Sequence, residues 1–288
     1  MRNSESLFLD IRGVRYHVRR WARAGAPKMV LLHGWMDVSA SFQFLVDALR
    51  GDWDVYAPDW RGYGLTGWGK SDCYWFPDYL ADLDVLLSLI ENSSPVNLVG
   101  HSLGGNVATL YAGVKPARVA KLVNLEGFGM QPTQPEQAPK RYARWLDELR
   151  EPSGLRPYDS FAALADRLQQ GNARLSREKA GFLARHWGRE EGAGVVLRGD
   201  PAHKIVNPVL YRYEEARACW QQVVAPVLWV EAAASDTPRR LGLDAAQLAE
   251  RRAAFRNLKL ATVEDAGHML HHDQPEAVAG LLEDFLLR

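Results

Sequence analysis

The 288-residue chain is long enough for one large domain or for a core with an inserted subdomain. Its 47% hydrophobic and 24% charged residues argue against extensive disorder. Lysine plus arginine equals aspartate plus glutamate at 35 each, so no net field draws the chain to nucleic acid or to membrane lipid.

Residues 7–21 alternate around Gly13, which predicts two short antiparallel strands. KMVLL (28–32) is a short apolar run ending at His33-Gly34, the pattern of a buried strand. Residues 40–50 have helical spacing, with Phe42, Leu45, Val46 and Leu49 on one face. The alternation repeats: strand 55–58, helix near 77–91, strand 96–100, helix 103–114 and strand 121–125. Strands alternating with helices imply a parallel sheet covered on both faces. After Gly129 the rhythm stops. Residues 130–224 hold helical patterns (RYARWLDELR, FAALADRLQQ, REKAGFLARHW) and no convincing buried strand. It resumes with strand 226–232, a helix near 244–255, strand 258–264 and a final helix 275–287. The expected organisation is an α/β core over 1–126 and 225–288, with a helical cap inserted at 127–224. Cys73 and Cys219 stand far apart and in no metal-ligand spacing. The N-terminus lacks an apolar signal core, and no apolar run approaches the roughly 20 residues of a membrane span. A cytoplasmic protein is expected.

Gly100-His101-Ser102-Leu103-Gly104 fits G-x-S-x-G between a predicted strand and a predicted helix, the context this nucleophile turn requires. The serine must occupy a strained turn that lifts its hydroxyl above the sheet. Glycines beside it prevent collision with neighbouring backbone. Serine rather than aspartate at this position points to acyl transfer.

With this turn and HGWMDVSASF (33–42), the chain resembles the α/β-hydrolase superfamily, and is similar to its serine-hydrolase-like branch. The likeness covers residues 1–129 and 225–288. It implies a mostly parallel eight-stranded sheet with helices on both faces, the α/β-hydrolase fold. His33-Gly34-Trp35 lies where the superfamily has its oxyanion loop. An attacked carbonyl gains negative charge, so two backbone amides must already face it. The resemblance suggests those of Trp35 and Leu103, with Gly34 allowing the turn. His33 is expected to support the loop rather than act as a base. PDWRGYG (58–64) resembles the family's D-x-R-G-x-G loop, in which Asp59 and Arg61 would pair. The aromatics around it (Trp60, Tyr63, Trp68, Tyr74, Trp75, Phe76, Tyr79) suit either core packing or an apolar pocket wall.

Asp265-Ala266-Gly267-His268 follows the last predicted strand, where the family has its catalytic histidine. Gln274-Pro275-Glu276 opens the next helix, with proline at a position that suits it. His271 and His272 share this segment, but no further carboxylate or histidine cluster supports a metal site. The acid is open. Asp236 is the only aspartate in EAAASDTP (231–238), the loop where the family normally carries it, and is the first choice. That loop lacks the usual glycine. Glu126, 24 residues past the serine, is the alternative, and Glu231 ranks third.

The expectation is a capped serine hydrolase that cleaves a small or medium carboxylic ester or thioester through an acyl-enzyme. Ser102 would attack, His268 would shuttle the proton and the acid would orient His268. No cofactor or metal is implied. The partner expected is a small-molecule ester, with no nucleic acid and no membrane span; no motif addresses oligomeric state. The alternatives are a C–C bond hydrolase with the same triad, or a non-catalytic ligand-binding protein of the same fold.

Overall fold

The computed structural model describes residues 1–69, 71–152 and 154–288. Strands β1 (Glu5–Ile11) and β2 (Val14–Trp21) form an antiparallel hairpin in which Ile11 faces Val14. Arg12 and Gly13 both have positive φ, the two-residue turn whose twist matches a hairpin. Then come β3 (Lys28–Leu32), a short 3₁₀ turn at Ser39–Phe42, α1 (Gln43–Ala48) and β4 (Asp54–Pro58). The next units are α2 (Phe76–Ile90), β5 (Val96–His101), α3 (Leu103–Val114) and β6 (Val119–Leu125). The following stretch carries α4 (Ala138–Arg150), α5 (Phe161–Gly171), α6 (Arg177–Trp187), β7 (Gly188–Glu191) and β8 (Gly194–Leu197). Ser160 and Ser176 cap α5 and α6 by accepting from Ala163 N–H and Lys179 N–H. After α7 (Tyr213–Trp220) and β9 (Val227–Ala232) lie α8 (Thr237–Arg240) and α9 (Ala245–Ala253). The chain finishes with β10 (Leu258–Val263), α10 (Leu270–Asp273) and α11 (Pro275–Leu286).

The eight-stranded sheet runs β1-β2-β4-β3-β5-β6-β9-β10, antiparallel among β1, β2 and β4 and parallel thereafter. Alternate residues of each parallel strand feed opposite faces, because the strand period is two. Val30, Leu98, Leu122 and Trp229 join the core under α2, α3 and α7. Leu31, Val99, Val123 and Val230 join the core under α1 and α11. From β3 the chain goes to β4 on one side, then returns to β5 on the other. The order of connection therefore reverses at β3, and the crevice at the carboxyl ends of β3 and β5 is where open α/β sheets take ligands.

The inserted stretch differs from expectation in two ways. First, it contains the hairpin β7–β8, whose GREE and GVVL are too short and too charged to register as a buried run. Leu164, Leu183 and Val195 join α5, α6 and β8 in a small core of their own. Second, α7 packs against α3, and Trp220 shares a cluster with Val107, Ala108 and Tyr111. In packing terms the chain rejoins the main core by Tyr213, earlier than the expected boundary at 224. The inserted stretch is tied to the loops around the crevice. Trp187 Nε1 donates to Ser41 Oγ (3.3 Å), Lys179 Nζ to the His272 carbonyl (2.6 Å) and Asn172 Nδ2 to Asp273 Oδ1 (2.6 Å).

Candidate active site

Ser102 sits between β5 and α3 with φ 52 and ψ −114, a conformation that costs a non-glycine residue of order 1–3 kcal/mol. The turn survives because its surroundings leave no alternative. Ser102 N–H donates to the Leu125 carbonyl (2.9 Å), and the Ser102 carbonyl accepts from Asn106 N–H (2.9 Å). A Cβ on Gly104 would lie 2.0 Å from the Leu32 carbonyl oxygen, so only glycine lets α3 start this close to β3. The Leu103 amide belongs to the first helical turn, whose N–H groups have no intrahelical acceptor. On the facing loop, a Cβ on Gly34 would lie 3.2 Å from Ser102 Cβ, which brings the backbone leading to Trp35 beside the nucleophile turn.

His268 Nε2 lies 3.0 Å from Ser102 Oγ, and its Nδ1 lies 3.2 Å from Glu126 Oε2. A carboxylate can only accept, so Nδ1 carries the proton and Nε2 turns its lone pair to the serine hydroxyl. Glu126 is buried, stands at positive φ just after β6, and also accepts from Ala232 N–H (2.8 Å) and from the Ser235 hydroxyl. Three donors thus converge on one carboxylate and fix its direction.

Two further histidines hold the loops. Trp60 N–H donates to His33 Nε2 (2.9 Å), which leaves Nδ1–H to donate to the Gly34 carbonyl (2.7 Å). Burial pulls the His33 pKa down to about 4, so it stays neutral as a loop support. His101 Nε2–H donates to the His268 carbonyl (2.8 Å). Burial, followed by the nearby His268, holds the His101 pKa well below the usual imidazole value.

A family model described as the alpha/beta hydrolase family matches residues 29–281. The chain belongs to the α/β-hydrolase family. It is similar to a serine hydrolase-like protein of Danio rerio, 27% identical over 274 residues that cover 92% of this chain and 83% of the relative. It is also similar to a serine hydrolase-like protein of Dictyostelium discoideum, 24% identical over 301 residues covering 99% and 81%. Among solved structures, a thioesterase domain from the curacin biosynthetic pathway shares the fold. Its TM-score is 0.87 at 23% identity, covering 98% of this chain and 99% of that one.

Within this α/β-hydrolase the acid expected first is not the one beside the histidine. Asp236 is half exposed at the start of α8 and pairs with Arg240 (3.0 Å) and Arg239 (3.7 Å). Among the described residues it makes no hydrogen bond or ion pair with His268. Glu231 is paired with Arg252 (2.6 Å). The glycine-free loop after β9 turns into α8 and sends its aspartate outward, while contributing Ser235 and the Ala232 amide to Glu126. Sequence reasoning missed Ser235, since a lone serine carries no signal. The expected Asp59–Arg61 pair is also corrected. Asp59 accepts from the Ser39 and Leu65 amides and pairs with His17 (2.7 Å), whereas Arg61 binds Asp82, with Nη2 2.6 Å from Oδ1. Of the aromatics, Trp60, Tyr63 and Tyr79 are buried in the core, while Trp68 and Trp75 are exposed. Tyr63 and Tyr74 stack on either face of His203, each at 3.7 Å, which clamps the stretch after β8 to the loop after β4.

Proposed function

We propose that this α/β-hydrolase cleaves carboxylic esters or thioesters of small or medium size through an acyl-enzyme on Ser102. The observation that carries the reading is the continuous path Ser102 Oγ, His268 Nε2, His268 Nδ1, Glu126 Oε2, with gaps of 3.0 and 3.2 Å. His268 takes the hydroxyl proton as Ser102 Oγ bonds to the carbonyl carbon, and the carbonyl electron pair moves onto oxygen. The amides of Trp35 and Leu103 receive that oxyanion. Collapse expels the alcohol or thiol, which leaves with the proton from His268. Water then repeats the sequence on the acyl-serine and frees the acid. Glu126 holds the ring in one tautomer and balances the imidazolium charge. The inserted stretch within 127–224 serves as the lid that shapes the pocket and excludes water. No helix among the described residues is long and apolar enough to cross a membrane, and we take the enzyme to work in the cytoplasm.

Labelling with a fluorophosphonate followed by peptide mass spectrometry is expected to modify Ser102 and to abolish hydrolysis of p-nitrophenyl esters. Ser102→Ala is expected to lose both labelling and at least about 10⁴-fold in kcat with its fold unchanged. A folded wild type that neither labels nor hydrolyses any ester or thioester overturns the reading.

A further inference from the structure

Twelve buried side-chain nitrogen and oxygen atoms among the described residues lack a hydrogen-bond partner, and five of them belong to four neighbouring residues. They are Asp37 Oδ2, His101 Nδ1, both ring nitrogens of His271 and His272 Nε2. Asp37, His271 and His272 are each at most 2% exposed. Unpartnered polar atoms are costly inside a protein, and a cluster of them calls for a ligand. Asp37 lies on the loop that follows Trp35; His271 and His272 lie just beyond His268. The neighbouring Asp273 is already engaged by Asn172 Nδ2 (2.6 Å) and Gly267 N–H (2.8 Å), and the fold brings Asp37 to the two histidines instead.

We propose that Asp37, His271 and His272 bind one divalent transition-metal ion of the zinc class. One donor atom from each lies within 4.8 Å of the others. Donors around tetrahedral zinc stand about 3.4 Å apart, so closure needs side-chain movements of roughly 1 Å. Two imidazoles and a carboxylate suit zinc or its first-row neighbours rather than calcium or magnesium. The supporting shell is already built. Asp37 Oδ1 accepts from Val38 N–H (2.8 Å) and from the Ser41 hydroxyl, which leaves Oδ2 free. His272 Nε2 is buried without a hydrogen-bond partner and so is available to an ion. Lys179, bonded to the His272 carbonyl, opposes a cation and limits the affinity. The ion ties the loop after β3 to the segment of His268.

Metal content is read without substrate, so this test stands apart from the ester reading. The full chain is equilibrated with Zn²⁺, dialysed against metal-free buffer and assayed by atomic emission. About one equivalent is expected to remain in the wild type, and under a tenth of that in Asp37→Asn and His272→Ala. His268→Ala is expected to keep its metal, which separates this site from zinc held by Ser102, His268 and Glu126. With Co²⁺ in the wild type, the shifted ring protons are expected to be those of His271 and His272, a readout that survives if a variant fails to fold. No retained zinc, loss confined to His268→Ala, or paramagnetic shifts centred on His268 overturns the proposal.

Discussion

Glu126 and Asp236 illustrate how little the type of a side chain says about its role until its surroundings are known. Glu126 is buried beneath the ring of His268 and receives three donors, whereas Asp236 is half exposed and already paired with two arginines. Glu126→Gln keeps the shape but removes the counter-charge to the forming imidazolium. It is expected to lower kcat about 10²- to 10⁴-fold with KM little changed, while Asp236→Asn costs less than about tenfold. Steady-state kinetics on one p-nitrophenyl ester decides between them. A larger loss in Asp236→Asn would return the acid to the loop after β9. The same lesson applies to Asp59, whose partner is His17 across the sheet rather than Arg61 two residues away.

At the scale of elements, the site depends on how closely α3 approaches β3. The Gly104 position leaves no room for a methyl group against the Leu32 carbonyl. Gly104→Ala must push the helix start away from the sheet, and overpacking of this kind costs about 1–3 kcal/mol. Expressed as a melting temperature, the fall is several degrees for a domain of this size. Ester hydrolysis is expected to drop further than stability does, because Ser102 and the Leu103 amide move with the helix. An unchanged melting curve together with unchanged activity would mean that α3 does not start against β3. The inserted stretch makes a second contact between elements through the Tyr63–His203–Tyr74 stack. Its own core of Leu164, Leu183 and Val195 is separate from the two clusters that cover the main sheet.

For the whole molecule, buried histidines set the acid limit of stability. Burial lowers the pKa of His33 to about 4, and of His203 and His272 to about 3. The unfolded chain binds protons on these rings near the ordinary value of about 6.5, before the folded chain does. Their contribution is therefore complete above about 6.5 and is lost as pH falls toward the folded values. Each ring adds a slope of up to about 1.4 kcal/mol per pH unit across that window. Urea unfolding at pH 7.5 and pH 5 is expected to show a clear fall in midpoint. His203→Phe, which keeps an aromatic ring between Tyr63 and Tyr74, is expected to reduce that fall. Equal midpoints at the two pH values would show that these rings are not held neutral.

The amino-acid sequence alone laid out the order of the strands and helices of the main sheet, the strand–turn–helix that carries Ser102 and the segment that carries His268. Each of these is written locally: two-residue alternation in the strands, an apolar stripe in α2, glycines flanking Ser102, and Pro275 opening α11. Local pattern does not carry direction across long separations. Glu126 and His268 are 142 residues apart, and only the parallel neighbours β6, β9 and β10 bring their loops together. The hairpin β7–β8 escaped notice because its exposed strands need no continuous apolar run. The departure of α7 from the inserted stretch escaped for a related reason, since a buried helix face looks the same whichever core receives it. Asp37 met His271 and His272 only when the loop after β3 folded against α10. Tertiary structure decided these points because burial, hydrogen-bond direction and charge pairing depend on distances in space, which sequence spacing does not encode.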